Sequence, residues 1–170
     1  MRPTHFAISL LATALVTGSA LAAELSTTTA DFIKNASIGN RFEIESSELA
    51  LATSKDEDIK NFAQHMVDDH GKAKEDMARA VKAAGIDSAA VPNSLDPKHQ
   101  EQLNKLKSLK GEAFDSTYVE AQVQAHEEAV NLFRTYSNKG DQADLKTFAT
   151  KTLPTLEKHQ EAINDMQNEY

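Results

Sequence analysis

The sequence has 170 residues, a formal net charge of −8 and no cysteine or tryptophan. The acidic balance argues against nucleic-acid binding, which needs concentrated Lys and Arg, and against an anionic lipid surface. The lack of cysteine excludes thiolate metal ligands, cysteine nucleophiles and thiol redox chemistry.

The first 23 residues have the pattern of a cleaved signal peptide. Arg2 supplies a positive charge, an apolar run extends from Phe6 to Val16, and small residues follow from Ala20 to Ala23. The apolar run is shorter than the roughly 20 residues that span a bilayer. We therefore expect export to the periplasm or beyond, with residues 24–170 forming one mature domain that has no integral membrane segment.

Five helical segments are predicted in the remainder of the chain, from apolar residues that recur at intervals of three and four. They cover about 29–53, 54–85, 97–110, 112–138 and 142–167. A predicted capping box at Ser54–Glu57 opens the second segment, and Gly85 ends it. Asp96 and Pro97 are typical of an N-cap followed by the first helical residue.

Four of these helices are long and carry one apolar stripe each, which predicts an all-α four-helix bundle. The third, short helix falls in the connection between the second and third long helices. That connection has about 27 residues, enough to cross the bundle. A ferritin-like topology is therefore expected, and a simple up-down bundle is the alternative.

Ionisable residues interrupt the apolar stripes at one position on each long helix: Glu43, His70, His126 and His159. A buried imidazole or carboxylate is costly unless it is paired, hydrogen-bonded or bound to a metal. Side chains on facing helices build the metal sites of bundles, and a nitrogen-rich set suits Zn, Cu, Ni or Fe better than Ca or Mg. These four residues are the predicted metal ligands.

Neighbouring carboxylates at Asp69, Glu127 and Glu157 are candidates for outer partners of these ligands. The alternative is a structural polar layer, in which Glu43 accepts hydrogen bonds from neutral histidines and no metal binds, or two separate polar pairs. The Glu-x-x-His pattern of di-iron bundles is absent, because Val or Leu stands three residues before each of the three histidines.

Other candidate ligands are weaker. His65 lies five residues before His70 and so on a different helix face, and His99 is expected to be solvated in the short helix. Copper binding by thioethers is an alternative, but methionines at helical spacing are usually core residues. Those methionines are Met66, Met77 and Met166.

Several motifs together carry a resemblance to a known family. They are Phe32-x-x-x-Ala36 with Glu43, Phe62-Ala63-x-x-Met66 with Asp69-His70, Phe114-Asp115-x-x-Tyr118 with His126, and Leu153-Pro154-x-Leu156-x-x-His159. This combination resembles a bacterial family of secreted, ferritin-like proteins of unknown function, often labelled as exported or outer-membrane proteins. The resemblance implies export and a ferritin-like bundle, but it implies neither ferroxidase activity nor a ligand set.

Two functions of different classes are compatible with these patterns. The first is an exported bundle that binds a transition metal through the four predicted ligands. The second is a non-catalytic envelope-stress or interaction protein whose buried layer is purely structural. No serine or threonine has a histidine at a spacing typical of a nucleophile pair, so an enzyme is not favoured, and no pattern identifies a protein partner.

Overall fold

The computed structural model describes residues 25–170, which form five α-helices and one 3₁₀ turn. The predicted signal peptide and its cleavage site lie outside this range. The helices and the turn are α1 (Thr27–Thr53), α2 (Glu57–Ala83), the turn Ser88–Ala90, α3 (Pro97–Lys107), α4 (Glu112–Lys139) and α5 (Ala143–Gln167). Residues 25–170 contain no strand, which confirms the all-α prediction.

The ends of the helices follow from local side-chain and backbone chemistry. The Asp96 carboxylate accepts the amide N–H of His99 at 2.9 Å, so the predicted N-cap of α3 is confirmed. Gly85 and Gly111 have φ angles of 69° and 59°, a conformation that glycine adopts without a steric penalty. These two glycines separate α2 and α4 from the long connection between them.

The predicted capping box at Ser54 is wrong. Ser54 is the C-terminal cap of α1, because its amide N–H donates to the Ala50 carbonyl at 2.9 Å. The N-cap of α2 is Asp56, whose carboxylate accepts the amides of Asp58 and Ile59 at 2.9 and 3.1 Å. Asp56 carries the negative charge that a helix N-terminus favours, and Ser54 remains tied to the preceding helix.

Two apolar clusters at opposite ends of the bundle define the helix directions. The first, which we call the top, joins the start of α1, the end of α2, the end of α4 and the start of α5. The second, the bottom, joins the end of α1, the start of α2, the start of α4 and the end of α5. Helices α1 and α5 therefore run from top to bottom, and α2 and α4 run from bottom to top.

The helix contacts identify the topology as ferritin-like. Helix α1 packs on α2 and α4, and α5 packs on α4 and α2. The parallel helices α2 and α4 are thus diagonal to each other. Residues 84–111 return from the top to the bottom, which is the single long crossover of ferritin-like bundles. This arrangement excludes the simple up-down alternative.

Helix α3 covers the groove between α1 and α4. Its Leu103 and Leu106 are buried. His99, which we expected to be solvated, has only 14% of its side chain exposed. Its ring lies 5.2 Å from that of Phe42, and its Nδ1 is 2.7 Å from the Asp96 carboxylate. The expectation was wrong because packing of α3 on α1 covers a ring on an otherwise polar helix.

The methionines belong to separate parts of the core. Met77 packs in the top cluster, whereas Met66 is fully buried in the bottom cluster and Met166 packs against its edge. Met77 is therefore separated from the other two, and methionines at such positions fill space in the core.

Aromatic packing at the top should contribute strongly to stability. Phe32 is 1% exposed, stacks on Tyr136 at a centroid distance of 3.9 Å and meets the edge of Phe133 at 5.2 Å. The Phe32→Ala variant is expected to lose about 3–5 kcal/mol of unfolding free energy, because it leaves a cavity that rigid helices cannot close. Chemical denaturation measures this loss. The exposed Lys151→Ala variant is the control and should stay within about 0.5 kcal/mol. A loss below about 1 kcal/mol for Phe32→Ala would contradict tight packing there.

Candidate functional site

A layer of ionisable side chains crosses the bundle between the top and bottom clusters. Glu43 of α1, His70 of α2, His126 of α4 and His159 of α5 lie in it, and they are 2%, 2%, 0% and 9% exposed. Helical periodicity places each of them on the inner stripe of its helix. We call these four residues the polar layer.

The three imidazole rings of the layer form a nearly equilateral triangle. The ring centroids of His70 and His126 are 5.7 Å apart, those of His70 and His159 are 5.5 Å apart, and those of His126 and His159 are 5.7 Å apart. One nitrogen from each ring lies within 4.8 Å of a nitrogen from the other two. The three rings therefore converge on one point.

Acceptors outside the triangle hold two of these rings. The Nδ1 of His126 lies 2.9 Å from the backbone carbonyl of Gln122, one turn earlier on α4. The Nε2 of His159 lies 3.0 Å from the carboxylate of Asp69 on α2. A carbonyl and a carboxylate only accept hydrogen bonds, so each of these ring nitrogens carries the proton and donates it.

The third ring is held by two residues of α1. The Nδ1 of His70 lies 3.1 Å from Oδ1 of Asn40 and 3.2 Å from Oε2 of Glu43. The Asn40 side-chain amide donates to the backbone carbonyl of His70 at 3.0 Å, which turns its oxygen toward the ring. Nδ1 of His70 is therefore the protonated nitrogen as well.

These hydrogen bonds leave one lone pair on each ring without a partner. Among the described residues, Nε2 of His70, Nε2 of His126 and Nδ1 of His159 are buried and make no hydrogen bond. A buried polar atom without a partner costs about 1–3 kcal/mol. The centroids of the three rings that carry these lone pairs are 5.5–5.7 Å apart, so the lone pairs share one small buried region. A cation among them would remove this cost, and a metal ion is the cation that neutral imidazoles bind best.

Burial keeps the histidines neutral and ready to act as ligands. It lowers the pKa of His126 to about 4, and it also lowers the pKa values of His70 and His159. For His159 the hydrogen bond to Asp69 partly offsets this effect. Burial raises the pKa of Glu43 to about 8. At neutral pH burial therefore favours the uncharged forms of the three histidines and of Glu43.

Glu43 lies behind the histidine rings rather than at their point of convergence. Its two carboxyl oxygens lie 3.2 Å from Nδ1 of His70 and 3.5 Å from Nδ1 of His126. The group of converging donor atoms contains the three histidines without Glu43. The geometry thus favours a role for Glu43 in orienting His70, which differs from the direct ligand predicted from its position on the stripe.

The three carboxylates considered as outer partners have different environments. Asp69 contacts His159, as described above. Glu157 pairs instead with Arg134 on the surface, at 2.8 Å, and Glu127 is exposed. His65 is also exposed, as its helix position predicts.

Sequence reasoning missed two residues that position the rings. Asn40 lies three residues before Glu43, and Gln122 lies four residues before His126. A polar residue one turn from a buried ionisable residue would have indicated Asn40, but Gln122 acts through its backbone carbonyl, which any residue at that position supplies. Gln122 is fully buried, and its side-chain amide donates to the hydroxyl of Ser46 at 2.9 Å.

The converging nitrogens fit a first-row transition-metal ion. Zn–N bonds of about 2.0–2.1 Å place the ligand nitrogens about 3.4 Å apart. From a separation of up to 4.8 Å, each nitrogen would have to move by less than about 1 Å to reach that distance. Metal-binding histidines typically donate their second N–H to a carboxylate or a carbonyl oxygen. His126 and His159 have such partners, and His70 has an amide oxygen and a carboxyl oxygen.

Comparison with known proteins supports the fold and leaves the chemistry open. Residues 14–166 match the model of a family described as a domain of unknown function, DUF4142. No curated protein matches the chain. A crystal structure of a DUF305 fragment from Deinococcus radiodurans is similar, with a TM-score of 0.71 and 11% sequence identity. The match covers 85% of this chain and 98% of that one. At this identity the similarity shows the fold alone.

Proposed function

This chain belongs to the DUF4142 family, a domain of unknown function, and we propose that its polar layer binds one divalent transition-metal ion. The proposed ligands are Nε2 of His70, Nε2 of His126 and Nδ1 of His159. Asn40, Glu43, Gln122 and Asp69 would hold the rings in place. The observation that carries the proposal is the set of three buried, converging lone pairs that have no partner among the described residues.

The nitrogen-only ligand set limits the choice of metal. Neutral imidazole suits Zn, Cu, Fe and Ni, whereas Ca and Mg prefer oxygen ligands. The sequence has no cysteine, so no thiolate is available to favour Cu(I). Zn²⁺ or another borderline divalent ion is therefore the occupant that the site supports best.

A purely structural polar layer is less well supported. In such a layer each buried nitrogen would find a partner, because unpaired buried polar atoms are rare in folded proteins. Here one nitrogen of each ring is paired and the other is not.

Metal content tests the proposal directly. We expect the untagged protein to contain about one equivalent of Zn, Fe, Cu or Ni per chain, and the chelator-treated protein to take up about one equivalent of Zn²⁺ in a calorimetric titration. Zn²⁺ at 100 times its dissociation constant should raise the unfolding free energy by about 2.7 kcal/mol. Metal-free protein that takes up no metal would contradict the proposal and leave a structural layer.

Export is a second part of the proposed role, and it is supported by the residue pattern at the N-terminus. Arg2, the apolar run from Phe6 to Val16 and the small residues from Ala20 are typical of a signal that is removed. We expect the protein to be recovered from the periplasmic fraction with its N-terminus at Ala23 or Glu24, as intact mass measures. A full-length chain in the cytoplasmic fraction would contradict export.

A further inference from the structure

A cavity of about 540 Å³ adjoins the top side of the polar layer. Its lining includes Glu43 and His70 themselves. It also includes the residue that lies one turn above each layer histidine, toward the top of the bundle. These residues are Ala73 of α2, Ala129 of α4 and Leu156 of α5. The space therefore lies on the top side of the layer and meets it at Glu43 and His70.

Small side chains leave this space open above the layer. Ala36, Gly39, Ala73, Ala125 and Ala129 all line it, and a Cβ added at Gly39 would meet nothing within 4 Å. Below the layer, by contrast, large buried side chains fill the core. Those side chains are Met66, Tyr118 and Ile163. The polar layer is thus open on its top side and closed on its bottom side.

The cavity reaches solvent between α1 and α4, beside the start of α3. Exposed residues line its outer part: Asn35, Lys98, Glu128 and Asn131. Lys98 and Glu128 form an ion pair across this opening, with N–O distances of 2.7 and 2.8 Å. The cavity therefore connects solvent with the edge of the polar layer at Glu43 and His70.

The ligand count leaves one coordination position for a group from outside the protein. Structural zinc sites have four protein ligands, whereas open sites have three protein ligands and an exchangeable fourth. Three histidines converge here, and Glu43 is held against Nδ1 of His70 on another side of that ring. No other His, Asp or Glu among the described residues joins the cluster.

We propose that a metal ion held by the three histidines keeps one coordination position facing this cavity, and that the position exchanges water for small inorganic anions. This inference rests on the proposed metal site. The three histidines carry no charge to offset that of the ion, and the carboxyl groups of Glu43 and Asp69 contact ring nitrogens on the side away from it. An anion at the fourth position is therefore favoured. The lining combines alanines, Leu132 and Phe133 with Asp96, Lys98 and Glu128, so the attraction for an anion comes from the metal ion and not from the cavity wall.

Cobalt spectroscopy with azide as the probe anion tests the open position. Metal-free protein loaded with Co²⁺ should show visible d–d absorption bands, and azide should shift these bands with saturation at one site. The Gly39→Leu variant, which places a side chain in the cavity, should bind Co²⁺ as before. Its azide affinity should fall at least about tenfold, equivalent to about 1.4 kcal/mol. Gly71→Leu is the matched control, because Gly71 is also helical, has open space around its Cβ and does not line the cavity.

The possible outcomes separate the two proposals. Absence of Co²⁺ bands would overturn the metal site and the open position together. Bands that azide does not change would overturn the open position alone and would assign the fourth position to a protein group such as Glu43. An unchanged azide affinity in Gly39→Leu would overturn the cavity as the place where the anion binds.

Discussion

The His126→Leu variant is expected to bind Zn²⁺ at least about 100-fold more weakly than the unchanged protein, because it removes one of three converging ligands. Substitution of an outer partner of a metal ligand already costs about 10- to 100-fold in affinity, and loss of the ligand itself should cost more. Competition between the protein and a chelator of known affinity measures this change. Unchanged affinity would overturn the ligand set.

The same variant should fold normally in the absence of metal. The Gln122 carbonyl that accepts from the His126 ring also accepts the backbone amide of residue 126 within α4, so it keeps a partner when the ring is lost. Leucine also removes a buried nitrogen that has no partner. Stability equal to or above that of the metal-free parent is therefore expected, since an apolar group of similar size can replace a buried polar one without loss.

Two further variants make the affinity measurement specific. Asp69→Asn keeps the three ligands but weakens the acceptor that orients His159, and it should lower Zn²⁺ affinity by about 10- to 100-fold. His65→Gln changes an exposed histidine of the same helix and should leave affinity unchanged. Equal losses in His65→Gln and His126→Leu would point to surface binding rather than to the polar layer.

The metal-free protein should lose stability steeply as the pH falls below 6.5, the ordinary pKa of histidine. Burial lowers the folded-state pKa values of all three histidines, to about 4 for His126. Between these values the unfolded chain binds protons that the folded chain excludes, so acid favours unfolding. Each such proton contributes a slope of about 1.4 kcal/mol per pH unit.

Glu43 acts in the opposite direction. Burial raises its folded-state pKa from 4.5 to about 8, so between these values the folded chain binds a proton that the unfolded chain lacks. Its contribution to stability is therefore lost as the pH rises toward 8. Below pH 6.5 the three histidines together change the unfolding free energy more steeply than Glu43 does. Above pH 6.5 only Glu43 of these four residues still affects the pH dependence of stability. Maximum stability of the metal-free protein is expected near neutral pH, with a steep acid limb and a shallower alkaline one.

Denaturant unfolding in the presence of a chelator, from pH 4 to 8, measures this profile. The His126→Leu variant provides the control, because loss of one titrating group should lower the acid slope by about 1.4 kcal/mol per pH unit. A flat profile would show that the histidines are hydrated in solution. An acid slope that is the same in both proteins would assign it to other groups.

The sequence alone was enough to predict the helices and which residues face inward. The interval of three and four residues between apolar positions is a local property of the chain, and it placed Glu43, His70, His126 and His159 on inner faces. Glycines at 85 and 111 and the Asp96–Pro97 pair marked helix ends for equally local reasons. The length of the connection between them made a crossover possible.

Some local choices were decided by competition between neighbouring groups. Ser54 and Asp56 are both good N-caps, and the structure uses Asp56 because the backbone of Ser54 still belongs to the end of α1. His99 was expected in solvent because its own helix is polar. It is largely covered because α3 packs against α1, where Phe42 lies 57 residues before His99 in the chain.

Only the tertiary structure decided the chemistry of the polar layer. For two of the three rings, the nitrogen that is protonated depends on an acceptor from another helix: Asn40 for His70 and Asp69 for His159. The position of Glu43 behind the rings, and the cavity above them, likewise depend on how four helices pack together. The spacing of residues along one helix determines the face on which a side chain lies. It does not determine the direction of a ring or the distance between atoms on different helices, because both depend on contacts between distant parts of the chain.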